Sequence, residues 1–213
     1  HENTSLIPAG EFLMGTEEGT KIERPVHKVY LREFRISRFE VSNLEFEIFQ
    51  PNHTRSVSSP CDQCPVTMVN WFEASSYCKN KNGRLPSEAE WEKAARGPAE
   101  YRYSFGENPD QSKSNFGHEF QAGVKAVNSF QPNGFGLYNM SGNVWEWVDD
   151  WFSFYAKAKK KTRKEGMVFT EKILRGGSWY NTAYYINVGM RFKINPDIKL
   201  NSIGFRCAWD VQQ

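Results

Sequence analysis

Between residues 25 and 41 the chain reads PVHKVYLREFRISRFEV, with apolar side chains at Val29, Leu31, Phe34 and Ile36 set among polar ones. A period near two puts one set of side chains on one face of an extended chain, so this stretch predicts strands. Three helix starts follow, each with a capping box: Ser42 precedes Glu45, Asn70 precedes Glu73, and Ser87 precedes Glu90 by three residues. In each box a short oxygen-bearing side chain caps free amides while the carboxylate reaches back to the cap's own N–H. Gly83 and Gly97 stand where the second and third helices should stop. From residue 98 to 140 the helical pattern fades, and Pro, Gly and Asn recur from GENPD through QPNGFG. Loops this long are uncommon in a compact domain and are usually functional or ligand-stabilised. The pattern predicts an α+β chain rich in irregular structure, with neither an internal repeat nor a linker, and hence one domain over 1–213.

Composition narrows this little. Seven Trp and sixteen Phe predict an aromatic core with some aromatic grooves. With 27 basic and 25 acidic residues the net charge is +2, too even to point to a nucleic acid. The densest basic run, KAKKKTRK at 157–164, reads as a solvated loop. No apolar run approaches the roughly 20 residues that span a bilayer. The chain opens on His1 rather than Met, which fits a mature exported protein or a trimmed recombinant one.

Candidate chemistry is concentrated in two places. In YNMSGNVWEW, the side-chain oxygens of Asn139 and Glu146 and the carbonyls of Gly142 and Val144 offer hard oxygen ligands of the kind calcium takes. The same residues also fit a turn whose Asn and Gly serve only the backbone. Of four cysteines, Cys61 and Cys64 form a CxxC flanked by SSP and PVT, which reads as a small structural disulfide rather than a thiolate at a helix start. A zinc site would need two further ligands, and the sequence offers no second CxxC and no HxxxH. The even count favours an oxidising compartment, periplasmic or extracellular. The histidines, at 1, 27, 53 and 118, are scattered.

Seven motifs occur in order: IPAGEFLMGT, ERPVHKVYLREFRISRFEVSNLEF, CPVTMVNWFEASSYC, GRLPSEAEWEKAARG, NGFGLYNMSGNVWEWVDDW, LRGGSW and IGFRCA. Together they resemble the formylglycine-generating enzyme, or sulfatase-modifying-factor, family along nearly the whole chain. The resemblance implies a C-type-lectin-like fold with little regular secondary structure. It implies a structural calcium at Asn139, Gly142, Val144 and Glu146, and a second near Asn115 and Phe116, although the acidic residue expected downstream of that pair is not evident here. It also implies a disulfide between Cys78 and Cys207.

The enzymes of that family hold copper(I) between two cysteines, a pairing suited to soft thiolates. An ungapped alignment from RGGSW puts Asn181 and Ile186 at those places, and no cysteine lies between 79 and 206. An amide and an isobutyl group cannot replace two thiolates, so the resemblance predicts no copper and no formylglycine chemistry. What it leaves is a surface over residues 178–203, where Ser178, Trp179, Tyr180, Asn181, Tyr184 and Tyr185 read as a ligand-binding face for a protein, peptide or glycan. Met190, Phe192, Asn187, Asn195 and Asn201 extend it. The expectation is an accessory binding protein, as a separate chain or a subunit of a larger complex. Two alternatives are an oxidase of other chemistry, similar to periplasmic relatives that mature siderophores, and a lectin-fold binder diversified by a retroelement, whose variable segments resemble 178–203. A sulfoxide-synthase relative would need a further helical domain for which 213 residues leave no room.

Overall fold

The computed structural model describes residues 2–155 and 170–211, so the basic run at 157–164 lies outside the described residues. The strands are β1 (Thr4–Ile7), β2 (Gly10–Met14), β3 (His27–Leu31), β4 (Phe34–Ser37), β5 (Trp145–Trp151), β6 (Lys172–Arg175), β7 (Phe192–Ile194), β8 (Ile203–Phe205) and β9 (Ala208–Asp210). The helices are α1 (Asn43–Phe49), α2 (Trp71–Asn80) and α3 (Glu88–Arg96). β4 lies between β1 and β9, β2 pairs with β3, and a four-stranded sheet runs β7-β6-β5-β8. In that sheet β5 and β8 are parallel, with Trp145 opposite Ile203 and Trp147 opposite Phe205. The predicted strand stretch becomes β3 and β4, and Phe34 and Ile36 point into the core.

All three capping boxes form, each with both of its hydrogen bonds. α3 ends at Gly97, whose φ of 68° is one that a side chain would resist. α2 stops differently from the sequence-based expectation. Asn82, not Gly83, takes the left-handed position at φ 56°. The Gly83 amide then donates to Cys78 O at 2.8 Å and the Asn82 amide to Lys79 O at 2.9 Å, a Schellman ending. Gly83 is required for another reason, because a Cβ there would lie 2.6 Å from Trp209 Nε1 and 2.8 Å from Ala208 O.

Between 98 and 140 the only regular element among the described residues is a 3-10 turn at Phe120–Ala122. Side-chain amides do the work of a ladder there. Asn133 donates to Ala94 O at 2.8 Å, at the end of α3, and its Oδ1 accepts from the Phe135 and Leu137 amides at 3.0 and 3.1 Å. One apolar cluster gathers Phe46 of α1, Tyr77 of α2, Trp147 of β5 and Phe205 of β8. A second gathers Trp91 of α3 with Ile7, Phe34, Leu137 and Ile173.

Two disulfides fasten this frame. Cys61 and Cys64 close a three-residue step in the loop after α1, and that loop's Cys64 and Asp62 carbonyls accept the Asn43 and Leu44 amides at the start of α1. Cys78 of α2 is bonded to Cys207, between β8 and β9, across a separation of 129 residues. Closing so long a loop removes much of the unfolded chain's freedom. Replacing Cys78 and Cys207 together by Ser is expected to lower unfolding free energy by about 2–5 kcal/mol in urea titration, against a much smaller loss for the Cys61/Cys64 double variant.

Candidate functional site

Strand β5 carries Trp145, Glu146 and Trp147 in succession, and all three are buried. A carboxylate there needs a partner, because an unpaired buried charge costs several kcal/mol. Arg206, leaving β8, supplies it: its Nε and Nη2 donate to the two Glu146 oxygens, each at 2.7 Å. The remaining guanidinium hydrogens reach Ser37 O, Arg38 O and Tyr138 O at 3.2, 3.1 and 2.8 Å. Trp91 Nε1 donates to Glu146 as well, at 2.7 Å. Burial works against the Arg206 charge, but the Glu146 carboxylate outweighs it and holds the guanidinium protonated.

Beside this pair lies a second buried acid that the sequence reading did not single out. Glu40 accepts from Asn139 Nδ2 at 3.0 Å and from Asn143 Nδ2 at 2.8 Å. Burial, opposed by Arg206 and reinforced by the nearby Glu146, pushes its carboxyl up to about 7. The only signal in the sequence is an acid inside the strand-like run RISRFEV. Two buried carboxylates thus share one arginine.

The 139–146 loop turns through left-handed residues at Asn139, Gly142 and Asn143, with φ of 55°, 89° and 66°. Asn139 spends its amide hydrogens on Glu40 and on Val127 O, which leaves its Oδ1 for an acceptor's or a ligand's role. Asn143 Oδ1 takes the Lys125 amide at 2.9 Å and Asn115 Nδ2 at 3.1 Å. Asn115 Oδ1 is buried and accepts no hydrogen bond among the described residues. No group of three His, Cys, Asp or Glu side chains able to hold a metal forms among the described residues. Amide and carbonyl oxygens would therefore dominate any site. The orphaned Asn115 oxygen and this oxygen-rich loop fit a hard cation such as calcium.

The residues expected to form a ligand face divide into two sets. Ser178 and Trp179 are fully buried and are corrected here from surface to support. Ser178 N and Oγ both donate to Asn181 Oδ1, at 2.9 and 2.7 Å, and Trp179 Nε1 donates to Phe120 O at 3.0 Å. Asn181 is half-buried, and its side-chain oxygen is used by these internal bonds. Tyr180, Tyr184 and Tyr185 are exposed at 36%, 42% and 40% of their surface, and Phe192, Ile198 and Leu200 also face solvent. Phe120, missed in the sequence because it lies 60 residues away in a loop, joins the face with its ring 5.4 Å from Tyr180. Met190 and Asn187 are buried and lie under the face rather than on it. Ile186 is fully buried against Tyr103 and Phe116. A Cβ on Gly177 would lie 2.7 Å from the Ile186 side chain, so the glycine lets the two strands of chain close. All four cysteines are in disulfides.

The sequence profile of the Sulfatase-modifying factor enzyme 1-like domain matches residues 1–211. The chain belongs to the sulfatase-modifying factor family. Within that family it is 31% identical to the formylglycine-generating enzyme of Streptomyces coelicolor, over 96% of this chain and 88% of that one. It is 30% identical to the inactive C-alpha-formylglycine-generating enzyme 2 of Mus musculus, over 95% of this chain and 84% of the relative. It is also 35% identical to the serine/threonine-protein kinase pkn1 of Chlamydia pneumoniae, matching 97% of this chain but only 38% of the kinase's length. Among solved structures, Treponema denticola variable protein 1 superposes with a TM-score of 0.82 at 24% identity, covering 97% of this chain and 94% of that one. A Major Tropism Determinant variant superposes with a TM-score of 0.52 at 16% identity over 83% of this chain and 50% of its own. The formylglycine-generating-enzyme fold expected from the motifs is therefore the fold found, α+β with little regular structure.

Replacing Arg206 by Met strands Glu146 in the core, and such a break typically costs 3–5 kcal/mol. The expected result is a variant destabilised by about that amount in denaturant titration, with Arg206→Lys recovering only a minor part because a point charge cannot bridge both oxygens and three carbonyls.

Proposed function

We propose that this chain is a binding protein on the sulfatase-modifying factor scaffold, recognising a protein, peptide or glycan through an exchangeable aromatic surface formed by residues 180–200. The observation that carries this reading is the alternation of burial along one segment. Ser178, Trp179, Ile186, Val188, Met190, Arg191 and Ser202 are buried, while Tyr180, Thr182, Tyr184, Tyr185, Phe192, Ile198 and Leu200 are exposed. A frame that stays fixed while the exposed positions change is what a diversified recognition surface needs. Variable protein 1 of Treponema denticola and the Major Tropism Determinant variants, whose names speak of variation, share this fold. Tyrosines contribute large contact area at low conformational cost and keep a hydroxyl for hydrogen bonding.

The copper chemistry of the enzymes has no footing in this reading. Ile186 is packed core rather than an open ligand position, and the thiols are all paired. A structural calcium is part of the proposal, held by Asn139, Gly142, Val144 and Glu146. When bound, calcium would tie those oxygens together and so stiffen the loop under the sheet. Two disulfides support an oxidising compartment, periplasmic or extracellular, for the working protein.

Four outcomes are expected. Incubation with a sulfatase-type cysteine peptide, copper and oxygen leaves the peptide mass unchanged; conversion of thiol to aldehyde would overturn the non-catalytic reading. Calcium at 100 times its dissociation constant stabilises by about 2.7 kcal/mol, seen as a rise in melting temperature that Asn139→Ala abolishes. Sequences sampled from a population of the source organism vary at the exposed positions of 180–200 and hardly at 178, 179, 186 or 188. Tyr184→Ala and Tyr185→Ala then each cost about 2 kcal/mol against a partner captured by the parent chain; parental affinity in both folded variants would move the recognition face elsewhere.

A further inference from the structure

A cavity of about 300 Å³ opens between α1, the end of α2 and the ends of β1, β4 and β9, and no residue of the 178–203 segment lines it. Its wall carries three acids, Glu2, Glu40 and Glu45, and three aromatic rings, Phe39, Tyr77 and Trp209. Its volume lies at the lower edge of the range for small-molecule sites. We propose that this cavity is a binding site for a small organic cation, an alkylammonium ion, held between the three rings and the carboxylates of Glu40 and Glu45.

Three separate features support the assignment. The first is charge. Glu40 is 1% exposed, and among the described residues it makes no ion pair; its oxygens accept only from neutral amides of Asn139 and Asn143. Arg206, already bonded to Glu146, sets one positive charge against two buried carboxylates, so an acid lining the cavity favours a cation arriving from solution. The second is the rings. An aromatic face attracts ammonium groups through its quadrupole, and the rings here already do so. Lys81 holds its ammonium 5.7 Å from the centre of Tyr77, and Arg38 holds its guanidinium 5.6 Å from the centre of Phe39. The third is shape. A bare metal ion would leave a space of this size almost empty, whereas an alkylammonium chain can lie along the apolar side chain of Val41 with room to spare for a longer or branched chain. Lys81 itself lines the cavity, so it is a tethered competitor for the ring it covers.

The test is calorimetric titration of the whole chain with butylammonium, with N-acetyl-lysinamide and with butanol as the neutral counterpart, in the presence and absence of saturating calcium. Butylammonium should bind at least about tenfold more tightly than butanol, with or without calcium. Trp209→Leu and Glu45→Gln should each weaken it about fivefold, while Lys81→Met should strengthen it about threefold. Glutamine at position 45 keeps the α1 capping box, so that variant folds. Binding of the free amine alone assigns the cavity to free amines, and binding of the lysinamide too extends it to a protein's lysine side chain. Equal binding of amine and alcohol, unchanged affinity in both weakening variants at parental melting temperature, or one-for-one displacement by calcium would each overturn the proposal. Displacement by calcium would assign the acids to the metal instead; it would leave the 180–200 recognition surface untouched.

Discussion

The guanidinium of Arg206 ties together pieces of chain that are far apart in sequence. It grips Glu146 of β5 through two bonds of 2.7 Å and gathers the carbonyls of residues 37, 38 and 138 around its remaining hydrogens. Five donors in one plane satisfy acceptors that would otherwise be stranded in a dry interior, a service no lysine or apolar group could perform. The energetic worth of such a pair over an apolar replacement is small, and its cost when half is removed is large. It specifies geometry more than it adds stability. It sits where the parallel seam of β5 and β8 meets residue 138 and the end of β4.

A second node of the same kind stands on the other side of Trp91. Glu92 faces Arg175 and Arg96, while Glu88 takes a two-pronged bond from Arg191 at 2.6 and 2.7 Å. Both acids lie on α3, so the helix presents carboxylates inward and receives arginines from β6 and from the segment before β7. Burial opposes ionisation of Glu92, but Arg175 and Arg96 more than offset it and hold its carboxyl below the usual range. The segment with the exposed tyrosines begins and continues from these arginines: RGGSW starts at Arg175, and Arg191 separates the buried Met190 from the exposed Phe192. The arginines hold this segment from behind, on the side away from its exposed Tyr180, Tyr184 and Tyr185.

The local part of this architecture was legible in the sequence. Capping boxes and alternating apolar positions report interactions within a few residues, and those elements formed where the pattern put them. Gly83 shows where local reading ends. It was expected to stop α2 by its backbone freedom, but it is glycine because Trp209, 126 positions later, packs on it. The same limit hid Glu40 and Phe120, whose significance comes from partners brought in by tertiary structure. Trp179 illustrates the reverse error: a run rich in Tyr and Asn looks like surface throughout, yet its second residue after the glycines is core. Composition says that a segment carries aromatic contact area; only the fold says which rings face water.

The order in which the chain is made gives the Arg206–Glu146 pair a temporal meaning. Glu146 emerges 60 residues before its partner, and Cys78 emerges 129 before Cys207. At 5–20 residues per second, β5 waits roughly 3–12 s with its acid uncompensated and the parallel seam unformed. During that interval the tryptophans on either side of Glu146 cannot be sealed without burying a lone charge. Until residues 203–207 are made, the ion pair, the seam and the long disulfide all lack a partner. Vectorial synthesis thus makes residues 203–207 the latch of the fold, and any delay or truncation just upstream of them leaves an open, aromatic-rich intermediate for chaperones or proteases to find.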